Sequence, residues 1–313
     1  TDAGIASTCS TTGAFRLSDD VLAADPDLLF VEFAVNDDQD AAHAARECRR
    51  GMEGILRQAL KHNPTMDIVV THFVNPPMLE RLRSGQTPVS SGQHEAVATH
   101  YGIATVDLAR EVASRIDAGQ LTWQIYGGTH PGPAGNRLAA DMIGDLLDTA
   151  WSEPLGSSAQ PQPHRLPKPL DENSYDSGRW VDIRDAQFDS NWRVHVPDWS
   201  QLAGQCRSRF QDTHVLSATT PAAELSLEFA GTAVGAYLLA GPDAGAVEVS
   251  IDGGEYRRID LFHRFSSGLH YPRTVMFATD LNKQQHQLSL RISDKHHQQS
   301  RGHAVRIMQF VVN

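Results

Sequence analysis

The chain has 313 residues, which is enough for two ordinary domains that each bury a sizeable hydrophobic core. Hydrophobic residues make up 40% and charged residues 21%, as in globular proteins, and the net charge of −11 argues against nucleic acids and anionic membranes as partners. The apolar runs are too short for a transmembrane helix, and three cysteines without a CxxC pair exclude a disulfide framework and a thiolate zinc site.

The first half of the sequence alternates between apolar strands and amphipathic helices. Continuous apolar runs, typical of strands buried on both faces, predict strands at 27–33, 66–73 and 103–108. Helical spacing of apolar residues predicts helices at 40–64, 90–102, 109–119 and 132–151. Since strands that alternate with helices form parallel sheets, we expect an α/β domain over residues 1–151, with helices on both faces of the sheet.

The pattern changes after residue 151. Residues 152–170 contain five prolines and no hydrophobic period, which predicts a linker over 152–172. From there on, short alternating runs such as "AVGAYLLAG" and "HQLSLRIS" are separated by turns rich in Gly and Asp. This pattern predicts an antiparallel β-sandwich of jelly-roll type over residues 173–313.

Two polar residues follow the first predicted strand, in "FVEFAVNDD" (30–38). The carboxyl ends of parallel strands line the ligand crevice of an α/β sheet, and the Asn36 amide there offers a fixed hydrogen-bond donor. Asn and Asp are also common helix caps, so Asn36 and Asp37 could instead cap the next helix. The stretch alone leaves both interpretations open.

A histidine stands in the loop "YGGTHPGPAG" (126–135), just before the last predicted helix. His130 in a rigid loop at such a junction is a candidate general base, since imidazole titrates near neutral pH. The chain has 15 histidines, so an ordinary loop histidine is the alternative.

The stretches "AVNDD" (34–38), "GGTHPGPAGN" (127–136) and "AGIASTCSTTGAFRL" (3–17) together resemble three sequence blocks of the SGNH (GDSL-type) hydrolase family. The resemblance implies a flavodoxin-like parallel sheet and serine esterase chemistry without a metal or cofactor. In that family a serine is the nucleophile, a glycine and an asparagine help to form the oxyanion hole, and a histidine is the base. By position, Asn36 would bind the oxyanion, His130 would be the base, and Ser7 would supply a backbone N–H.

The sequence departs from the family pattern at three of these positions. Ala34 replaces the glycine of the Asn block, and Ser7 stands where the family has its oxyanion glycine, although any residue except proline keeps the backbone N–H. Gly127 replaces the aspartate that usually precedes the histidine by three residues. The group that orients His130 is therefore open between a backbone carbonyl, Asp37 and Glu32.

The family's first block, a strand that ends in Gly-Asp-Ser, has no counterpart in this sequence. Its strand normally lies in the middle of the sheet, where its neighbours need it as a hydrogen-bonding partner. We therefore expect the functional protein to include a further N-terminal segment, such as a separate peptide carrying Gly-Asp-Ser, that supplies the nucleophile. Ser10 is the alternative nucleophile, but no predicted strand precedes it to form a nucleophile elbow.

Several further residues are expected around the site. We expect these residues to line the substrate pocket: Ser10, Asp37, His72 and Gly128. We expect His94, on a predicted helix, to lie at the surface. Three tryptophans of the second domain are expected in the core or at a domain interface rather than in a sugar site: Trp180, Trp192 and Trp199.

The second domain directs the substrate hypothesis. The stretch "AGPDAGAVEVSIDGG" (240–254) resembles accessory sandwich domains attached to carbohydrate esterases. This resemblance implies an acylated carbohydrate as the substrate, with an O-acetyl group removed by Ser–His chemistry, and a secreted or periplasmic location. A non-catalytic carbohydrate-binding protein on a decayed esterase scaffold and an acyltransferase remain as alternatives.

Overall fold

The computed structural model describes residues 2–39, 44–154, 156 and 158–313. The chain divides into an α/β unit, made of Cys9–Ala14 and Ser18–Asp176, and a sandwich unit. The sandwich unit contains Ser177–Asn313 together with Phe15–Leu17 and the N-terminal segment that ends at Thr8. Whereas the sequence predicts a first domain that starts at residue 1, the N-terminal segment thus groups with the sandwich.

The α/β unit is built on a three-stranded parallel sheet with the order β1-β2-β3, as the alternating sequence pattern predicts. Its strands are β1 (Leu28–Val31), β2 (Asp67–Thr71) and β3 (Ala104–Val106). Every residue of β2 after Asp67 is buried, so the central strand is covered on both faces. The edge strand β1 differs from the expectation of full burial, because Phe30 is 42% exposed.

The helices of this unit alternate with its strands, except that the first helix, whose residues Phe15–Leu17 group with the sandwich unit, precedes β1. They are α1 (Ser10–Asp20), α2 (Ala34–Gln39), α3 (Ala45–His62), α4 (Pro76–Arg83), α5 (Val89–Tyr101), α6 (Leu108–Asp117), α7 (Trp123–Tyr126) and α8 (Pro133–Ala150). Helix α3 packs on α5, and α4 packs on α6. The predicted helix over 40–64 begins at Ala45 in the structure, and its residues 40–43 lie outside the described residues.

Local sequence signals explain several helix ends. The side chains of Asn75 and Asp107 accept the N–H groups of Met78 and Arg110 and so cap α4 and α6. Pro133 occupies the first turn of α8, where its missing N–H costs nothing. Gly102 ends α5 in the left-handed conformation, as glycine commonly does after a helix.

The sandwich unit consists of two antiparallel sheets around one core. Their orders are β11-β10-β13-β8-β5 and β12-β9-β14-β7-β6, with β4 paired to β14. The elements are β4 (Arg179–Val181), β5 (Gln187–Phe188), β6 (Arg193–His195), α9 (Ser208–Gln211), β7 (Val215–Ala218), β8 (Glu224–Gly231), β9 (Val234–Ala240), β10 (Ala246–Ile251), β11 (Arg257–Asp260), β12 (Tyr271–Ala278), β13 (Gln284–Ile292) and β14 (Val305–Val312). The antiparallel second domain is confirmed, while its jelly-roll topology stays a prediction.

Residues from both sheets form the sandwich core. Alternation in β8 directs Leu225, Leu227 and Phe229 inward, and Trp192 joins the same cluster. Trp192 thus packs in the core, one of the two places expected for the tryptophans. Among the described residues, no helix has the length and apolar character needed to cross a membrane, and no cluster of His, Cys, Asp and Glu is arranged to hold a metal ion.

Candidate active site

Asn36 lies in the short helix α2, which begins three residues after β1. This is the carboxyl end of a parallel strand, the place where α/β sheets bind ligands. Asn36 is partly buried and sits inside α2, so it does not cap the following helix, α3, whose N-cap is Ala44. The position of Asn36 is therefore compatible with the expected oxyanion role.

Asp37 forms a buried polar cluster with Ser10 and His94. Its Oδ1 accepts the Ser10 backbone N–H at 2.8 Å, and its Oδ2 accepts the Ser10 hydroxyl at 2.6 Å. The His94 Nε2 lies 2.9 Å from the same Oδ2. Since Ser10 is the first residue of α1, the carboxylate caps that helix and its charge is stabilised by the helix dipole. Asp37 therefore caps a helix that precedes it in the chain, not the next one.

The expected surface position of His94 is wrong, because its side chain is fully buried. The burial reflects its hydrogen bond with Asp37, a residue 57 positions away in the sequence. A histidine can be buried at low cost where a carboxylate accepts its N–H. No spacing within α5 reveals this partner.

The cluster also bears on the roles expected for Ser10 and Asp37. Both side chains are almost completely buried, and each is hydrogen-bonded to the other. The Ser10 hydroxyl donates to a carboxylate and not to an imidazole base, so its surroundings differ from those of an activated serine. This burial favours a structural role for Ser10 and Asp37 in holding α1 to α2, and their contact with substrate stays a prediction.

Helix α3 closes the cluster from another side. Burial and the charge and hydrogen bonding of Asp37 raise the pKa of the Cys48 thiol well above its usual range. The thiol therefore stays protonated and is a poor nucleophile. At Gly51, a Cβ atom would overlap Ser10, so only glycine allows α3 to approach the start of α1 this closely.

His72 follows β2 and is buried beside the cluster. Its Nε2 lies 3.1 Å from Glu95 Oε2, and its ring stacks on that of His94 with centroids 6.4 Å apart. Burial, together with the neighbouring His94, lowers the pKa of His72. His72, which was expected to line the substrate pocket, is thus buried and held by the partly exposed carboxylate of Glu95.

His130 is exposed in the loop between α7 and α8. The loop is closed by the Gly132 N–H, which donates to the Tyr126 carbonyl at 2.9 Å. Gly127 has a φ of +106°, and a Cβ atom there would overlap the backbone of Gly132. The aspartate usual in the family at this position therefore does not fit this loop, which gives a physical reason for the departure. Gly128 also has a positive φ, of +94°, with open space beside it.

Glu32 is the other carboxylate considered for orienting His130. Burial, and to a lesser extent the charge of Asp37, raises its pKa to about 7, although a 3.3 Å hydrogen bond from the Val35 N–H acts in the opposite direction. The buried Tyr126 hydroxyl, which has no hydrogen-bond partner within the described part of the chain, has its pKa raised to about 12 by burial and by Glu32. Since Asp37 is engaged by Ser10 and His94, Glu32 and a backbone carbonyl remain as candidates.

Ser7 belongs to the sandwich unit and has a φ of +66°, in the left-handed region that favours glycine. Within the same unit, Arg207 Nη2 donates to the Ser7 hydroxyl at 2.7 Å, and Arg207 Nη1 donates to the Ala6 carbonyl at 2.8 Å. The resemblance aligns Ser7 with a family glycine, and its backbone conformation is one that glycine adopts freely. Sequence reasoning missed Arg207, because nothing in the sequence links residues 200 positions apart.

Comparisons with known proteins match the first part of the sequence and, by fold, almost the whole chain. Residues 1–138 match the sequence profile of the GDSL-like lipase/acylhydrolase family. The fold is similar to that of a two-domain esterase active on acetylated mannans, with a TM-score of 0.72 at 21% identity, over 99% of this chain and 79% of the esterase. The structure of that esterase co-crystallized with mannopentaose gives a TM-score of 0.71 at 21% identity, over 99% and 78% of the two chains.

Other comparisons add little. A family two carbohydrate esterase from Cellvibrio japonicus reaches a TM-score of only 0.29 at 17% identity, over 43% of this chain and 32% of the esterase. No curated protein sequence matches significantly. The profile match thus covers residues 1–138, and the similar two-domain fold extends over almost the whole chain, with a second domain of antiparallel sheets.

Proposed function

We propose that the protein is a serine esterase that removes O-acetyl groups from a carbohydrate. The observation that carries the proposal is the position of Asn36 directly after β1 and of His130 in the closed loop before α8, within a GDSL-like domain. The similar two-domain esterase is active on acetylated mannans, which supports an acetylated polysaccharide or oligosaccharide as the substrate. The proposal includes a secreted or periplasmic location, where such polysaccharides are found.

In the proposed mechanism a serine hydroxyl attacks the carbonyl carbon of the ester. His130 takes the serine proton and then donates it to the sugar oxygen as the ester C–O bond breaks, so that the sugar leaves as an alcohol and an acyl-enzyme remains. Water, deprotonated by His130, releases acetate and restores the serine. The negative oxygen formed in each step accepts hydrogen bonds from the Asn36 amide and the Ser7 backbone N–H. This chemistry needs neither a metal nor a cofactor.

We further propose that the nucleophile comes from a strand that pairs with the free edge of β1, on a segment or separate peptide carrying Gly-Asp-Ser. Among the described residues, β1 pairs with β2 along one edge only, and Phe30 is 42% exposed. Intact mass and N-terminal sequencing under denaturing conditions test this point, and a purified active species made of this chain alone would refute it.

Acetate release from acetylated mannan tests the function. Removing one oxyanion donor typically costs on the order of 10²–10³ in kcat. We therefore expect Asn36→Ala to lower kcat by about this factor, with little change in KM, because the amide binds charge that develops only in the transition state. His130→Ala is expected to lose at least as much.

The matched control is His62→Ala, which removes another exposed histidine, paired with Asp25 at 3.1 Å on the surface of the same unit. It should leave kcat unchanged. Active preparations in which Asn36→Ala and His130→Ala turn over like the wild type would contradict the assignment. Binding of the glycan without acetate release would favour the non-catalytic carbohydrate-binding alternative.

A further inference from the structure

We propose that a groove on the outer face of the sandwich unit binds a short stretch of an uncharged carbohydrate chain. The groove lies across the sheet of order β11-β10-β13-β8-β5 and has a volume of about 330 Å³, at the lower end of the range for small-ligand sites. Its lining includes Gln187, Phe188, Glu224, Ser226, Tyr256 and Ser289, all of which belong to the sandwich unit. Only the choice of the first test glycan rests on the proposed function.

The strand register places the floor of the groove on the solvent side of the sheet. Ser226 of β8 pairs with Gln187 of β5 and with Ser289 of β13. Side chains of directly paired residues lie on the same face, so these three form one row across the sheet. The next residues along β8 and β13, Leu225 and Leu290, point the other way and pack in the core. The row therefore faces outward.

Small side chains create the depression. On the same face of β8 and β13, the row of the two serines lies between two rows of longer side chains. Glu224 pairs with Arg291 on one side of the serines, and Glu228 pairs with Gln287 on the other. The serines thus form a floor that the longer side chains rise above.

The floor and one wall carry hydrogen-bonding groups that the protein leaves unused. In the part of the chain that the structure describes, these groups accept or donate no hydrogen bond within the protein: the Gln187 carboxamide, the Glu224 carboxylate, and the Ser226 and Ser289 hydroxyls. Serine hydroxyls and carboxamides both donate and accept, and a carboxylate accepts. Each hydroxyl of a sugar can donate one hydrogen bond and accept others, so this set of groups matches a carbohydrate.

Two aromatic side chains give the groove an apolar surface. Tyr256 is 43% exposed and Phe188 is 39% exposed. The Tyr256 ring is held from one side by the Arg291 guanidinium, 4.1 Å from its centroid, and Arg291 Nε donates to Glu248 at 2.7 Å. The C–H face of a sugar ring packs on such a surface through dispersion and loss of apolar contact with water.

The charge of the lining favours an uncharged ligand. Among the described residues that line the groove, Asp189 and Glu224 are acidic and none is basic, so anionic ligands are repelled. The Asp189 oxygens already accept the backbone N–H groups of Asn191 and Glu224, both at 2.8 Å. One free carboxylate is left, which is too few oxygen ligands for a bound divalent cation. A neutral polyhydroxyl chain fits both conditions.

Hydroxyl-radical footprinting of the whole protein tests whether the groove is occupied. The uncharged probes are acetylated mannan, arabinoxylan, mixed-linkage β-glucan and galactan, and polygalacturonate is the acidic control. We expect acetylated mannan to reduce the oxidation of Tyr256 and Phe188 but not that of Phe265, which is 40% exposed and does not line the groove. Polygalacturonate should protect none of the three. Unchanged oxidation of Tyr256 and Phe188 with all four uncharged probes would overturn the proposal.

Variants identify the groups that bind. In affinity electrophoresis, Tyr256→Ala and Glu224→Gln should each raise the Kd for the protecting glycan by about 10-fold, a loss typical of a central binding group. Phe265→Ala, which removes an aromatic ring of similar exposure, and Glu228→Gln, which removes a carboxylate on the same face of β8, are the matched controls. Both should keep the wild-type Kd. Equal losses in the groove variants and their controls would overturn the assignment.

Ser289→Val excludes a folding defect as the cause of lost binding. Valine fills the floor of the groove and suits a β-strand, so the variant should keep the thermal midpoint of the wild type. We expect the glycan no longer to protect Tyr256 in this variant. Protection of Tyr256 equal to that in the wild type would contradict binding at the serine floor.

The groove and the proposed function fail in different experiments. Release of acetate from acetylated mannan without protection of Tyr256 and Phe188 would overturn the groove and leave the esterase. Protection of both residues by any of the uncharged glycans, without release of acetate, would support the groove and refute the esterase.

Discussion

Asp37 joins three parts of the α/β unit through one carboxylate. It binds the first residue of α1, it lies next to Asn36 in α2, and it pairs with His94 on α5. A carboxylate buried with several donors is costly to remove, because each donor is left without a partner in a region that water does not reach. The residue adjacent to the proposed oxyanion donor is therefore also the one that fixes its helix.

We expect Asp37→Ala to destabilise the protein by about 3–5 kcal/mol, because Ser10 and His94 lose a buried partner. The control, Asp38→Ala, removes a neighbouring, less buried carboxylate that accepts the Asn75 amide at 2.9 Å, and should cost about 1 kcal/mol. Urea denaturation of both variants measures the difference. If the two variants unfold at the same urea concentration, Asp37 does not have the anchoring role described above.

Sequence reasoning located single residues better than it located their partners. Asn36 and His130 follow predictable element ends, so their positions could be read from strand and helix patterns. The hydrogen bonds of Ser10 to Asp37 span 27 residues, and that of His94 spans 57. Partners this distant are brought together by the packing of α1, α2 and α5, which the local hydrophobic periodicity of the sequence does not predict.

At the scale of elements, α3 shows how a helix can bury charge. The side chain of Arg50 is almost fully buried, and its Nε donates to Asp171 Oδ2 at 2.9 Å. Glu53, one turn later, accepts the backbone N–H groups of Leu170 and Asp171 at 2.6 and 3.0 Å. These bonds hold the chain segment that follows the proline-rich stretch against the helix, and they replace the water that the charges lose.

We expect Arg50→Met to cost about 3–5 kcal/mol of stability, because Asp171 then keeps a partly buried charge without its main partner. Arg46→Met is the control: its Nε lies 3.5 Å from the same carboxylate, but its side chain is 56% exposed, so the loss should stay below about 1 kcal/mol. Thermal unfolding compares the two. Equal losses of stability in Arg50→Met and Arg46→Met would mean that burial does not strengthen the ion pair between Arg50 and Asp171.

The long elements were predictable and the short ones were not. Strands β1 to β3 and helices α3, α5, α6 and α8 follow apolar periods long enough to recognise in the sequence. Helices α2 and α7 have six and four residues, too few for a hydrophobic period to be expressed. Helix α1 was not predicted, because the polar residues at its start, in "STTGAF", are buried by tertiary contacts and give no apolar period in the sequence.

At the scale of the whole molecule, each unit contains partly buried carboxylates paired with arginine. In the α/β unit these are Asp171 with Arg50 and Asp176 with Arg57, and in the sandwich unit Arg306 binds both oxygens of Asp243. Burial alone would raise the pKa of each carboxyl group, but the arginines, together with Lys61 at Asp176 and the Asn173 N–H at Asp171, outweigh it and leave the pKa lowered.

The composition of the sequence did not predict that the N-terminal segment groups with the sandwich unit and not with the rest of the first domain.

Because these carboxyl groups have lower pKa values folded than unfolded, their contribution to stability is present above about pH 4 and is lost as the pH falls below it. We expect the thermal midpoints of both units to drop between pH 5 and pH 3, by about 2–4 °C for each kcal/mol lost. Asp243→Asn should lower the midpoint of the sandwich unit at pH 5 and make it less dependent on acid. An acid response identical to that of the wild type would exclude this pair as its source.

Glu32 reverses the sign of this dependence near neutral pH. Its pKa is raised to about 7 in the folded protein, mainly by burial, so the folded state holds a proton that the unfolded state has already released above about pH 4.5. Stability should therefore fall as the pH rises from about 5 to 7, by at most about 3 kcal/mol, since the residue keeps some exposed surface. Glu32→Gln, which cannot ionise, should remove this decline without changing the loss below pH 4. Urea denaturation of the wild type and of Glu32→Gln at pH 5, 6 and 7.5 measures this decline in stability. A decline of equal size in both proteins would have to come from another group.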